Sequence, residues 1–275
     1  MRIKANQKIF FCTNTKMAKN LQQSVEYLQE LEILTRDLKD KIDLVVIPPY
    51  TALYTVQKLA HGYITIGAQN VCRSEETENT GEISAGMLRE LEIPIVMIGH
   101  SERRRSFGET DEDIALKAKC LTEKGMSVLL GIGETLKQKE NGESEEILNH
   151  QIKTALKNVE TENYGLIRVL YEPAWAIGTA GKVADPDYVG RIHTAIRESL
   201  IQIMGEELGN VVPILYGGSV NEQNALSIFR QPNVDGLGIG RSAWNAAMFN
   251  KIIRNVLAFN EKYWEGEKNY AENIK

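Results

Sequence analysis

The chain has 275 residues, of which 43% are hydrophobic and 25% are charged, and its formal net charge is −5. These values are typical of a globular protein with one large domain or two small ones. An acidic surface repels nucleic acid and anionic membranes, so an anionic ligand requires a local positive site.

The cysteines and the apolar runs exclude several other classes of protein. Cys12, Cys72 and Cys120 are widely spaced and form no Cys-x-x-Cys pair, which argues against a disulfide framework and a zinc site. The N-terminal apolar run of about five residues is too short for a signal peptide. No apolar run approaches the roughly 18 residues of a membrane span. The sequence therefore predicts a cytoplasmic protein.

Short apolar runs alternate with longer segments of helical spacing along the chain. We predict strands over residues 9–13, 43–47, 63–66, 95–98, 127–132, 166–170, 211–215 and 234–239. The clearest helical pattern covers residues 111–124, where Ile114, Ala118 and Leu121 fall on one stripe. Thr110 precedes this stripe at the N-cap position, and Gly125 is expected to end the helix.

Eight strands alternating with about eight helices match a (β/α)8 barrel, in which eight outer helices surround eight parallel strands. The alternative α/β fold is a doubly wound open sheet, but no Gly-x-Gly-x-x-Gly follows the first predicted strand. We predict a single barrel domain over residues 1–260. A polar C-terminal extension, residues 261–275, is expected to lie beyond the last helix.

Functional residues of a parallel barrel lie at the C-terminal ends of its strands. A lysine, a histidine and a glutamate each follow a different predicted strand, at Lys16, His100 and Glu172. Pro173 stiffens the backbone after Glu172, and the following residues, rich in glycine and alanine, are typical of a movable lid. Considered alone, Glu172 could equally be a solvated loop acid.

The surroundings of the lysine and the histidine favour function. A helix start is unfavourable for a cation, so Lys16 stands against local preference there. His100 is followed by a polar turn that resembles a helix N-terminus, which favours a neutral imidazole able to donate a hydrogen bond. We interpret Glu102, Arg103 and Arg104 as a supporting network of ion pairs.

The loops after the last two predicted strands suggest a phosphate site. Gly-Gly-Ser at residues 217–219 allows backbone amides to point into the mouth, and Gly-Arg-Ser at residues 240–242 supplies a second such turn. Barrels often bind phosphate between these two loops. Ser219 and Glu222 also match the Ser-x-x-Glu capping box, so we expect Ser219 to cap a helix as well.

These motifs resemble the triosephosphate isomerase family, from Asn14 to about Trp244. The segments that carry the resemblance are Asn14-Thr15-Lys16-Met17, Gly67-Ala68-Gln69-Asn70, Thr80-Gly81-Glu82 and residues 99–104, 171–179 and 216–220. The resemblance implies the fold named after this family, the TIM barrel. It also implies that no metal and no organic cofactor is needed.

The resemblance further implies roles for individual residues. Lys16 would be the electrostatic lysine, His100 the electrophile and Glu172 the catalytic base, since this family is a standard example of a glutamate base paired with a neutral histidine. Asn14 would line the site, with Ser101 and Glu102 in support. The backbones of Gly178, Ser219 and Gly240 would hold the phosphate of a small phosphorylated sugar. Arg241 would lie beside them.

The implied reaction moves a carbonyl group by one carbon through an enediolate. Glu172 would carry the proton, and Lys16 and His100 would stabilise the negative oxygens. The lid would exclude water. Thr80 would lie at the tip of a loop that enters a partner subunit, which implies a homodimer.

Several positions depart from the family pattern. Thr15 replaces a tryptophan, Gly131 replaces a cysteine, and the lid is one residue longer. Gly-Arg-Ser-Ala-Trp at residues 240–244 resembles the branch of the family that isomerises erythrulose phosphates. The triose phosphate is the first expectation and an erythrulose phosphate the alternative. We hypothesise that the smaller residues Thr15 and Gly131 make room for a fourth carbon.

Overall fold

The computed structural model describes residues 8–177 and 183–273, with side chains up to residue 260. Its strands are β1 (Ile9–Asn14), β2 (Ile42–Ile47), β3 (Ile64–Ala68), β4 (Ile95–Ile98), β5 (Ser127–Ile132), β6 (Ile167–Tyr171), β7 (Ile214–Tyr216) and β8 (Gly236–Gly238). Every neighbouring pair is parallel, and β8 pairs with β1 to close the barrel. The predicted barrel is confirmed.

Helices surround this barrel. They are α1 (Leu21–Thr35), α2 (Tyr50–Leu59), α3 (Ala85–Glu90), α4 (Ser101–Phe107), α5 (Asp111–Glu123), α6 (Leu136–Glu140), α7 (Ser144–Leu156), α8 (Pro186–Met204), α9 (Glu206–Gly209), α10 (Ala225–Phe229) and α11 (Ala246–Asn273). The prediction of about eight was too low for the described residues, because β4, β5 and β6 are each followed by two helices. The additional helices α4, α6 and α9 are too short to show an apolar stripe.

The C-terminal segment differs from the expectation. Helix α11 continues to Asn273, so residues 261–273 extend the last helix rather than lie beyond it. In the described part of the chain, no helix is both long and apolar enough to cross a membrane.

The predicted helix over residues 111–124 forms as α5. The Thr110 hydroxyl accepts a hydrogen bond from the Asp113 amide, and the Asp113 carboxylate accepts one from the Thr110 amide. Gly125 has a φ of +70°, a conformation that glycine adopts readily, and the helix ends before it. Ile114 and Leu121 are fully buried, as their stripe predicts.

The last two strands are shorter than predicted. Strand β7 begins only at Ile214, because Val211 is 61% exposed and Pro213 has no amide hydrogen to donate to a neighbouring strand. Strand β8 covers only three residues. An apolar run therefore located each of these strands without defining its first residue.

Two cores hold the barrel together. Alternate strand residues face inward and form a compact cluster, consisting of Phe10, Cys12, Val45, Ile47, Ile95, Met97, Leu129, Leu170 and Leu215. The other strand residues face outward and pack against the helices. Each buried leucine or isoleucine contributes about 1.5–3 kcal/mol of hydrophobic stabilisation. Because large side chains fill the interior, a ligand can enter only at an end of the barrel.

Candidate active site

A cavity of about 680 Å³ opens at the C-terminal ends of the strands. The predicted site residues that line it are Asn14, Lys16, His100, Glu102, Glu172, Ser219, Gly240 and Arg241. They come from the ends of five strands, as the strand-end rule predicts. Ser101 does not line the cavity, but its amide lies within 3.4 Å of the Glu172 carboxylate. Gly178, with the rest of the predicted lid tip, lies outside the described residues.

Lys16 is held in the left-handed region of backbone space, with a φ of +51°. This conformation costs of order 1 kcal/mol for a residue with a side chain, so the surroundings must enforce it. The Asn14 side chain accepts a hydrogen bond from the Lys16 amide at 2.8 Å, and Gln69 donates to the Lys16 carbonyl at 2.9 Å. The indole N–H of Trp244 donates to the Asn14 carbonyl at 2.9 Å. These bonds anchor the backbone on both sides of the lysine.

The position of His100 determines which of its ring nitrogens can donate. His100 is the N-cap of α4, and its Nδ1 accepts a hydrogen bond from the Glu102 amide at 3.1 Å. A nitrogen that accepts a hydrogen bond carries no proton, so a neutral ring carries its hydrogen on Nε2. Nε2 faces the cavity and lies 3.5 Å from Oε1 of Glu172. The ring can therefore donate a hydrogen bond into the cavity without being a cation.

Glu172 extends β6 into the mouth of the barrel, where only 5% of its surface is exposed. Its amide donates to the Ile132 carbonyl at 2.7 Å, and the Ser101 amide lies 3.4 Å from its Oε2. A Cβ at Gly133 would lie only 2.0 Å from the Glu172 carbonyl oxygen, so glycine is required for this close approach. The carboxylate is thus fixed opposite His100 and largely removed from water.

The predicted ion pairs around α4 are present. Lys16 Nζ lies 2.7 Å from Oε1 of Glu102. Burial is the largest single influence on Glu102 and opposes its ionisation, but the hydrogen bond and the charge of Lys16, together with the neighbouring basic side chains, lower the pKa of the carboxyl group below its usual value. Arg103 pairs with Glu109 at 3.1 Å, and Arg104 pairs with Asp111 and donates to the Gly99 carbonyl. The helix that carries His100 is therefore fastened on several sides.

The loop after β7 differs from the sequence prediction at Ser219. No helix begins there, because the Asn221 side chain accepts hydrogen bonds from the amides of Gln223 and Asn224 and forms a turn. Helix α10 begins only at Ala225. The Ser219 carbonyl accepts a hydrogen bond from Asn224 at 2.8 Å. The amides of Ser219 and Gly240 donate to no acceptor among the described residues. Two backbone donors thus remain at the cavity wall.

Neither position proposed to make room for a fourth carbon lies on the cavity wall. Thr15 is buried, and its hydroxyl points toward the Ile47 carbonyl on β2. Gly131 packs against the backbone of Gly99, where an added Cβ would lie at 3.1 Å. The hypothesis was therefore wrong about these positions. Gly238 does line the cavity, although the sequence analysis did not select it. Its position within the last predicted strand was the one feature of the sequence that could have indicated this.

Comparisons with known proteins identify the family of this chain. A family model described as triosephosphate isomerase matches residues 9–256. An L-erythrulose-1-phosphate isomerase of Rhizobium etli is 39% identical over 248 residues, which are 90% of this chain and 91% of the relative. Another, of Mesorhizobium japonicum, is 41% identical over 243 residues, covering 88% of this chain and 94% of that protein. A triosephosphate isomerase of Fusobacterium nucleatum is 39% identical over 249 residues, covering 90% and 98% of the two chains. The chain therefore belongs to the triosephosphate isomerase family and is an isomerase.

Proposed function

We propose that this protein isomerises a short ketose phosphate by moving a proton between adjacent carbons. The observation that carries the proposal is the convergence of Glu172, His100 and Lys16 on one cavity. The carboxylate is a base, the imidazole Nε2–H is a neutral hydrogen-bond donor, and the ammonium group is a cation.

The reaction follows from these three groups. Glu172 takes a proton from the carbon next to the carbonyl, and the electron pair of that C–H bond forms a C=C bond while the carbonyl oxygen becomes negative. His100 and Lys16 stabilise that oxygen by a hydrogen bond and by charge. The proton of the adjacent hydroxyl group moves to this negative oxygen, and Glu172 returns its own proton to the former carbonyl carbon. The oxygen that lost its proton then becomes the new carbonyl oxygen.

The phosphate of the substrate is held by the loops after β7 and β8. The amides of Ser219 and Gly240 supply donors with no acceptor among the described residues. Arg241 lies beside them on the cavity wall and adds positive charge to an otherwise acidic protein. Backbone amides and a guanidinium group together match the geometry of a phosphate.

Dihydroxyacetone phosphate is the first proposed substrate, to be converted into glyceraldehyde 3-phosphate. The triosephosphate isomerase name of one relative and the complete catalytic set support it. With this substrate the enzyme would serve glycolysis and gluconeogenesis in the cytoplasm.

The second candidate is L-erythrulose 1-phosphate, to be converted into D-erythrulose 4-phosphate by the same chemistry. Two of the relatives carry the corresponding name. This ketose has one more hydroxymethyl group, at the end away from its phosphate. The floor of the cavity includes Cys12, Leu170 and Gly238, and a Cβ at Gly238 would lie 2.6 Å from Leu170 Cδ1. Leu170 thus leans into the space that the glycine leaves.

Steady-state kinetics with both substrates test the proposal. We expect the wild-type enzyme to convert at least one of the two substrates.

Gly238→Ala tests which substrate the cavity fits, because the added methyl group should move Leu170 into the cavity. That change should lower kcat/KM roughly tenfold more for the tetrulose phosphate than for the triose phosphate, since an added methyl group excludes the larger ligand first. Gly165→Ala is a matched control, because a Cβ there meets nothing within 4 Å. If the wild-type enzyme converted neither of the two substrates, the proposed function would be contradicted.

A homodimer is proposed from the loop between β3 and α3. Thr80 is exposed at the tip of a turn in which the Glu82 amide donates to the Asn79 carbonyl at 3.0 Å. Met17, next to the candidate catalytic lysine, is 97% exposed. A large apolar side chain so exposed beside a functional site favours a surface that a second copy covers.

Sedimentation velocity tests the homodimer. We expect a particle of twice the 30.9 kDa chain mass, and we expect Thr80→Arg to shift it toward the monomer because a large cation cannot enter a packed interface. Glu160→Arg, an exposed residue shortly before β6, serves as the control and should leave the mass unchanged. A monomeric wild-type protein at micromolar concentration would refute the dimer.

A further inference from the structure

One buried carboxylate joins three aromatic side chains next to the candidate base. Glu134, two residues after β5, is fully buried. Its Oε1 accepts hydrogen bonds from the indole N–H of Trp175 at 2.8 Å and from the hydroxyl of Tyr188 at 2.8 Å. The Tyr171 hydroxyl donates at 3.1 Å. All three donors are neutral groups from residues far along the chain from Glu134.

Tyr188 and a lysine also enclose Trp175. The Tyr188 ring, from the first turn of α8, meets the Trp175 ring edge-on with centroids 5.8 Å apart. Lys139 Nζ, from α6, lies 3.6 Å from the Trp175 centroid and 4.4 Å from the Tyr188 centroid. A cation over an indole face is attracted by the ring electrons. The Tyr188 hydroxyl also shares a hydrogen bond with Ser144 at 3.0 Å.

The turn that carries Trp175 is directly connected to Glu172. It spans Ala174–Ala176 and begins two residues after Glu172, with Pro173 between them. The Ala174 amide donates to the Glu134 carbonyl at 3.0 Å. A displacement of the Trp175 ring would therefore be transmitted through a short and stiff backbone to the carboxylate of Glu172.

We propose that Tyr188 and Lys139 are positioning residues, which hold the Trp175 turn and thereby aim the Glu172 carboxylate at the substrate. The proposal rests on the proposed role of Glu172 as the base. A proton acceptor must lie within hydrogen-bond reach of the proton it takes, so a small displacement slows the transfer. Burial and the Glu134 carboxylate raise the pKa of Tyr188 to about 12, so its hydroxyl remains a donor at neutral pH.

Two substitutions separate the parts of this arrangement. Tyr188→Phe keeps the ring and removes the donor, and Lys139→Met keeps most of the aliphatic stem and removes the cation. We expect Tyr188→Phe to lower kcat roughly tenfold, as for the loss of one charge-assisted hydrogen bond. We expect a loss of about threefold for Lys139→Met. The KM should change by less than about twofold in both, because the phosphate loops are untouched.

Arg191→Met is the matched control. Its guanidinium carbon lies 5.2 Å from the centroid of the Tyr188 ring, and the side chain pairs with Glu145 at 3.7 Å. We expect its kcat to equal that of the wild type. A loss in Arg191→Met as large as that in Lys139→Met would overturn the role of Lys139.

A double-mutant cycle with Glu172→Asp distinguishes positioning from a structural role. Asp is one methylene shorter and already misplaces the carboxylate, so Tyr188→Phe should then cost less than about twofold. If Tyr188→Phe merely reduced the folded fraction, it would lower kcat by the same factor in both backgrounds, and the proposal would be wrong. Full turnover by Glu172→Asp alone would show that a displaced carboxylate still works and would overturn the positioning role, whereas Glu172→Gln tests the proposed base itself.

Discussion

Glu172→Gln is expected to lower kcat roughly 10³–10⁴-fold, at the upper end of what a general base contributes. Glutamine keeps the size of the side chain and its contact with the Ser101 amide, but it cannot accept a proton at neutral pH. The loss should fall on kcat rather than on KM, because the phosphate loops lie on other strands. Steady-state assays with dihydroxyacetone phosphate and L-erythrulose 1-phosphate measure this loss of kcat.

Two controls make this result interpretable. Circular dichroism and the melting temperature should match the wild type within a few degrees, because Glu172 makes no ion pair with a lysine or arginine among the described residues. Competitive inhibition by inorganic phosphate should also be retained. A Glu172→Gln enzyme with more than about one tenth of the wild-type kcat would show that another group is the base.

Lys16→Met is expected to lower kcat/KM roughly 10³-fold or more. Methionine preserves the aliphatic length and removes the ammonium group, which stabilises the enediolate oxygen and also attracts the anionic substrate. Loss of a single transition-state donor costs about 10²–10³-fold, and loss of substrate attraction adds to it. Both kcat and KM should therefore change, unlike in Glu172→Gln.

A conservative variant completes this test. Lys16→Arg retains the charge but places a planar group where a compact ammonium lies, so we expect an intermediate loss. The ammonium forms an ion pair with Glu102 at 2.7 Å, and its removal should raise the pKa of Glu102 toward its ordinary value. If Lys16→Met had the same kcat/KM as the wild-type enzyme, Lys16 would have no role in the mechanism.

Local patterns explain why much of the fold could be predicted. The strands β4 and β5 and the helix α5 lie where apolar runs and caps indicate. The short helices α6 and α9 could not be predicted, because they are too short to show an apolar stripe, whereas the polar turn after His100 indicated the start of α4 but not its end. Helix α11 extended further than expected because nothing in residues 261–273 breaks a helix as proline does.

The candidate site was predictable only where its residues follow from a local pattern. Lys16, His100 and Glu172 are visible in the sequence because the end of each barrel strand faces the same mouth. The Ser219 cap was wrong because the Asn221 side chain competes for the amides that a helix would use. The linkage of Glu134 to Tyr188 spans 54 positions and has no local pattern.

By itself, the sequence determined the eightfold alternation of strands and helices, the chemical groups at the strand ends and the family. These properties are local, since each depends on residue type and short spacing. Only the tertiary structure decided that Gly238 rather than Thr15 borders the cavity, that Nε2 of His100 faces Glu172, and that Tyr188 reaches Glu134. Such contacts depend on which distant segments the closed barrel brings within a few ångströms of each other, and no spacing along the chain encodes that distance.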